Sequence, residues 1–169
     1  QAARALIDQI SNDLRYVDIG AEIRDGTSYK GYDLDSSKLV LALRLPNADP
    51  TTPFVRKVYT IETVASRLTL RLQESRKCNI TNFTWDCDQD FQSLPTDLLS
   101  SAYELNQLSV TFPSEFNGIN VSEAGLLEPP VSPFISMVFS IKPADLTASC
   151  SDEAGLCYKV STSVNMGTR

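Results

Sequence analysis

Along the first turns of the chain, apolar side chains recur every three to four positions: Ala3, Leu6, Ile7, Ile10, Leu14 and Val17. That spacing places them on one helical face, with Arg4, Asp8, Ser11, Asn12 and Arg15 on the other. The pattern predicts an amphipathic helix of about four or five turns, its apolar stripe laid on a core. A helix normally opens on Ser, Thr, Asp or Asn, because its first N–H groups need acceptors. None precedes Ala3. Two readings follow: a frayed start, or a native helix that extends further upstream.

From residue 38 onward the period shortens to two. The run "KLVLALRLP" (38–46) is aliphatic and β-branched, stops at Pro46, and predicts a strand. "NADPTTP" is a turn cluster. "FVRKVYTIET" alternates through Val55, Tyr59 and Ile61. "SRLTLRLQES" sets Leu68, Leu70 and Leu72 on one face and Arg67, Thr69, Arg71 and Gln73 on the other, as in a half-buried antiparallel strand. "QLSVTFPSEF" (107–116), "FISMVFSIKP" (134–143) and a segment around 156–164 are further strand candidates. Between them, "IRDGTSYKGYDLDSS" reads as a loop or loose hairpin, and "CNITNFTWDCDQDFQSLP" as a short strand or a disulfide-closed loop. "PTDLLSSAYELN" reads as a short helix capped by Thr96. The expected fold class is α+β: a long N-terminal amphipathic helix packed on antiparallel sheet. A single domain would span 1–169, with the helix over 1–19 and a β-rich head over 38–169.

Composition narrows the chemistry. At 169 residues, 42% hydrophobic and 21% charged, the chain has the make-up of a globular protein. Its formal net charge of −6, with scattered Lys and Arg, argues against nucleic acid as the main partner. It contains no His, which removes the commonest general base, the commonest zinc ligand and any Ser–His or Cys–His pair. The expectation is a protein that is not an enzyme and carries no cofactor other than a conceivable calcium ion. Four cysteines fall in two close couples, Cys78 with Cys87 and Cys150 with Cys157. Three pairings are open; the proximity within each couple favours two local disulfides and an oxidising compartment. No run reaches the 18 to 20 apolar residues of a membrane span, and no signal peptide is visible.

These elements, in this order, resemble type IV pilin-like proteins, and among them the minor pilins and minor pseudopilins of the J-type or PilW-like kind. "QAARALIDQISNDLRYV" is similar to the middle of the pilin helix. "DSSKLVLALRLP" is similar to the first strand, and "VRKVYTIE…SRLTLRL" to the hairpin that follows, with Val58–Tyr59–Thr60–Ile61 and Leu70–Arg71 in its characteristic places. "LNQLSVTF", "ISMVFSIKP" and "VSTSVNMGTR" resemble the remaining strands. The upstream apolar half-helix and the prepilin cleavage site of the family are absent, and the cysteine couples are not a family signature.

The resemblance implies a structural subunit that initiates or caps a type IV pilus or a type II secretion pseudopilus. It would be anchored in the inner membrane by a missing upstream helix, with its head in the periplasm or outside the cell. Other minor pilins or pseudopilins in a filament tip complex would be its partners. Ala3, Leu6, Ile7, Ile10 and Leu14 would form the packing face, the more N-terminal of them also meeting neighbouring helices. The alternative is a secreted or cell-surface β-rich binding domain that recognises a protein or a small ligand.

Smaller constellations remain. Asp86, Asp88 and Asp90 alternate as the carboxylates of a calcium loop do, but Phe91 takes the place of that loop's glycine and Asp97 that of its closing Glu. An acidic, solvated loop beside a disulfide is the competing reading. Asp25, Asp33 and Asp35 would need a cleft to act as paired carboxylates, and turn chemistry already explains Asp25–Gly26. Phe83, Trp85 and Phe91 would make either a partner-binding tip or a cover for the disulfide. Asn79, Asn82 and Asn120 each open an N-x-Ser/Thr triplet, in a chain rich enough in Ser and Thr to carry some by chance.

Overall fold

The structure is a computed structural model, and it describes residues 2–18, 32–34, 37–81, 84–111, 134–147, 150, 157–165 and 167. One helix, α1 (Ala2–Arg15), precedes nine strands: β1 (Tyr32–Leu34), β2 (Lys38–Arg44), β3 (Phe54–Val64), β4 (Arg67–Thr81), β5 (Thr84–Cys87), β6 (Thr96–Asp97), β7 (Tyr103–Thr111), β8 (Phe134–Pro143) and β9 (Tyr158–Asn165). The first sheet runs β1-β2-β3-β4-β5, with β6 also on β4; the second runs β7-β8-β9, and every pairing is antiparallel.

The α+β expectation is therefore corrected. The protein is mostly β, two antiparallel sheets with one short α-helix of 14 residues among the described residues, and that helix is not the long one expected. The helix stops at Arg15 rather than running to residue 19 because its end is tightened and then diverted. Tyr16 and Val17 N–H bond back to Asp13 and Leu14 carbonyls, and the next residues join β2 as an added edge. Val17 bridges Leu43, Asp18 N–H donates to Ala42 O, and Arg44 N–H donates to Tyr16 O.

One core joins α1 to both sheets. It includes Ala3, Leu6, Ile7, Ile10 and Leu14 of α1, Leu39, Leu41 and Leu43 of β2, Tyr59 of β3, Leu70 of β4, and Ile135, Met137, Phe139 and Val164 of the second sheet. The continuous aliphatic run of β2 reflects burial on both faces, since Val40 and Ala42 are as enclosed as their neighbours. The alternation along β4 holds for Leu70 and Leu72, whereas Leu68 is exposed and Thr69 on the opposite face is fully buried.

"PTDLLSSAYELN" is not a helix. Thr96 and Asp97 pair with Leu72 and Arg71, Leu98 N–H donates to Leu70 O, and the chain enters β7 at Tyr103. The Asp97 carboxylate meets Arg71 at 3.0 Å and Arg67 at 3.5 Å, which ties this segment down as extended chain.

Two irregularities shape the sheets. Phe54 pairs with Cys78 and Arg56 with Ser75, so Val55 faces both Arg76 and Lys77, and Lys77 takes a φ of 50°. This bulge shifts the phase of β4, so that Ser75 and Cys78 share a face. On β7 a second bulge leaves Asn106 extra, and its Nδ2 donates to Ser140 Oγ at 2.9 Å.

Candidate functional site

The first candidate is the seat of α1. All five proposed packing and assembly residues, Ala3, Leu6, Ile7, Ile10 and Leu14, are buried against the two sheets. The exposed face of α1 carries Ala2, Arg4, Ala5, Asp8, Asn12 and Arg15. Ser11, read as part of the polar face, is buried too and donates to Ile7 O.

Asp13 is the residue the periodicity missed. Its buried carboxylate receives Lys57 Nζ at 2.8 and 2.9 Å and the Tyr59 hydroxyl at 2.5 Å. Lys57 is the cross-strand partner of Glu74, whose Oε2 lies 3.7 Å from Nζ. Burial, reinforced by the charge of Asp13 and the hydrogen bond to it, pushes the Tyr59 hydroxyl far above its ordinary value. The phenol therefore stays protonated and acts as a fixed donor. A signal was available: Asp13 lies three residues after Ile10 and beside Leu14, at the margin of the apolar stripe. The cluster is a buried clamp from α1 to β3 and β4.

The second candidate is the disulfide-closed end of the first sheet. Cys78 and Cys87, register partners on β4 and β5, are bonded, and Cys150 is bonded to Cys157. The bulge brings Cys78 to the outer face, where it joins Ala42 and Phe54 in a small separate core with Ile80, Trp85 and Cys87 against it. Trp85 meets Phe54 edge-on, with ring centroids 6.3 Å apart. The guanidinium of Arg44 lies 4.9 Å from the Phe54 ring centre, and that of Arg56 lies 5.7 Å from the Trp85 ring. Phe91 is partly exposed under Lys77 Nζ, and Phe83 lies outside the described residues.

Beside this end the β2–β3 turn frames a cleft of about 540 Å³ lined by Leu45, Pro46, Asp49, Thr51, Phe54 and Lys77. The Thr51 hydroxyl and amide both donate to Asp49, which holds its carboxyl below the usual carboxylate range.

The acidic run does not converge on an ion. Asp86 is a register partner of Asn79, while Asp88 accepts from Asp90 N–H at 3.1 Å and caps a one-turn helix over Gln89–Phe91. Among the described residues no group of three His, Cys, Asp or Glu side chains is placed to hold a metal. Asp25, Asp35, Asn82 and Asn120 lie outside the described residues, as does the side chain of Asp33; the Asn79 side chain accepts from Ile80 N–H. No helix among the described residues is long and apolar enough to cross a membrane.

Comparison with known proteins returns no match: no family model, no curated protein and no solved structure aligns with this chain.

Proposed function

We propose that the protein is a non-enzymatic structural subunit of an extracytoplasmic filament, a minor pilin or pseudopilin of the type IV pilus and type II secretion class. The observation that carries this reading is the mounting of α1. Its apolar face is wholly enclosed by both sheets, and Asp13 locks it to Lys57 and Tyr59. A subunit held in a filament through its N-terminal helix must transmit load from helix to head without slippage, and a buried, hydrogen-bonded ion pair supplies such a joint. The order of sequence elements, the absence of His from the chain and two disulfides suited to an oxidising space support the same reading.

In this role the exposed face of α1 and the outer surfaces of the sheets would contact other subunits, and the inner membrane would hold the protein before assembly. The test is the N-terminal sequence of the native mature protein, read by mass spectrometry from its own source. An N-methylated residue about 25 positions upstream, opening an apolar run, is the expected result. A mature start near Gln1 after an ordinary signal peptide would overturn the reading and favour a secreted binding domain.

A further inference from the structure

We propose that Asp13 and Lys57 become joined by an isopeptide bond, an amide between the Asp13 side-chain carboxyl carbon and Lys57 Nζ that ties α1 covalently to β3.

The reacting groups are already in contact. Lys57 Nζ lies 2.8 and 2.9 Å from the two carboxylate oxygens, and both side chains are largely withdrawn from water. Near-equal distances to the two oxygens set the nitrogen opposite Cγ, and a turn about the Cβ–Cγ bond presents the face of the carboxyl group to it. Groups held in this way react as one molecule, with the entropy of their encounter already lost on folding. Burial acts in the same direction. An ion pair loses hydration inside a protein, which favours proton transfer from ammonium to carboxylate and leaves a neutral amine beside a neutral acid. Those are the forms that condense. The arginine–carboxylate pairs of the sheet do not offer this chemistry, because a guanidinium stays protonated.

Two further groups stand where the step needs them. Glu74 Oε1 accepts from Arg76 Nε at 2.5 Å and Glu74 N–H donates to Ser93 Oγ, so the residue is fixed with Oε2 3.7 Å from Lys57 Nζ. It is placed as the general base for the attacking nitrogen. The Tyr59 hydroxyl donates to Asp13 Oδ2, and burial keeps that phenol protonated. It is aimed at the oxygen on which negative charge gathers as the tetrahedral centre forms. Nucleophile, electrophile, base and oxyanion donor thus converge from α1, β3 and β4.

The step balances within the cluster. The Nζ–Cγ bond forms and the Cγ–Oδ1 bond breaks. The ammonium gives up two protons, one directly to the carboxyl group and one by way of Glu74, and Oδ1 departs with both as water. The opposite charges of the pair cancel, no electron changes hands, and Oδ2 remains as the amide oxygen under the Tyr59 hydroxyl. The ion pair is the state in which a newly made chain folds; the amide closes from it afterwards. The inference stands on this cluster alone and goes beyond the filament reading; either can fail without the other.

The experiment holds the full-length, oxidised protein folded near neutral pH, samples it over time, and maps its tryptic peptides by mass spectrometry. Cleavage after Arg4, Arg15, Arg56 and Arg67 delimits ALIDQISNDLR and KVYTIETVASR, which contain Asp13 and Lys57. The expected result is a branched peptide of these two, lighter than their sum by one water, in which trypsin no longer cuts after Lys57. Glu74→Gln keeps Asp13, Lys57 and Tyr59 and should form the branch about a hundredfold more slowly, the low end of what a general base contributes. Lys57→Arg keeps the charge but lacks the amine, and should give no branch. Only unlinked peptides from the aged, folded protein would overturn the proposal. So would an undiminished rate in Glu74→Gln, or a branch that forms equally well in urea, where no folded cluster exists.

Discussion

The Tyr59 hydroxyl donates a 2.5 Å hydrogen bond to Asp13 across 46 residues of sequence, and it does so inside the core rather than at its rim. Tyr59→Phe should cost about 2 kcal/mol, the usual worth of a hydrogen bond to a charged group. Asp13→Ala should cost more, about 3 kcal/mol, because the Lys57 ammonium then loses its nearest counter-charge. The joint replacement Asp13→Leu with Lys57→Met should lie much closer to the unaltered protein than Asp13→Ala does. Urea unfolding of the set measures all three, and a double variant as weak as the single one would show that the clamp stabilises by more than mutual charge cancellation.

The same pair sets an alkaline limit. The folded-state pKa of Tyr59 lies above its ordinary value of 10.0, so the folded chain holds this proton more tightly than the unfolded chain. Its contribution is complete below about pH 10 and declines as pH rises beyond it, by about 1.4 kcal/mol per pH unit. Denaturant midpoints measured between pH 8 and 11 should fall above pH 10 in the native protein, and fall less steeply in Tyr59→Phe.

The β3–β4 hairpin turns at Ala65 and Ser66, with φ of 49° and 64°. Two left-handed residues in a two-residue turn suit Asn-Gly, and a Cβ at each position is unfavourable. Replacing Ala65–Ser66 by Asn–Gly should stabilise the protein by about 1 kcal/mol and raise Tm by about 3 °C. No change in Tm would mean that the long hairpin, and not its turn, fixes the register.

Removing the first disulfide should act both locally and globally. Cys78 and Cys87 are nine positions apart. Replacing both with Ser releases a loop whose closure is worth about 2 to 3 kcal/mol by chain entropy. Trp85 would lose its fixed place against Phe54, so its emission should shift to the red before global unfolding. Emission unchanged in the variant would show that the small outer core holds Trp85 unaided.

How much of this was legible in the sequence depends on the range of the interaction. The helix face of Leu6, Ile10 and Leu14 follows from its period, and the strands Lys38–Arg44 and Phe134–Pro143 from their apolar runs, because these are local features of the chain. The short helix read over 95–106 failed because Thr96 and Asp97 pair with Leu72 and Arg71 and the Asp97 carboxylate meets Arg67 and Arg71, partners far earlier in the chain that no local window contains. The outer core failed for a geometric reason. Along "SRKCNI" no alternation announces that Ser75 and Cys78 share a face; the extra residue at Lys77 does that, and it shows only in the pairing with β3. The Asp13 clamp was hidden because a single carboxylate at a stripe's margin reads as solvent-facing until its partners on another element are known.

The enclosure of β2 has a consequence for solubility. "LVLAL" is the run of this chain most suited to stacking against copies of itself, being uncharged, aliphatic and free of Pro and Gly. β3 occupies one edge of it, and the other is divided between β1, opposite Leu39 to Leu41, and the residues just after α1, opposite Ala42 to Arg44. If the end of α1 peels away, half of that edge opens with its hydrogen-bonding groups facing water, a template for intermolecular pairing. The helix seat thus guards against amyloid-like assembly, and variants that loosen Asp13 should aggregate before they unfold.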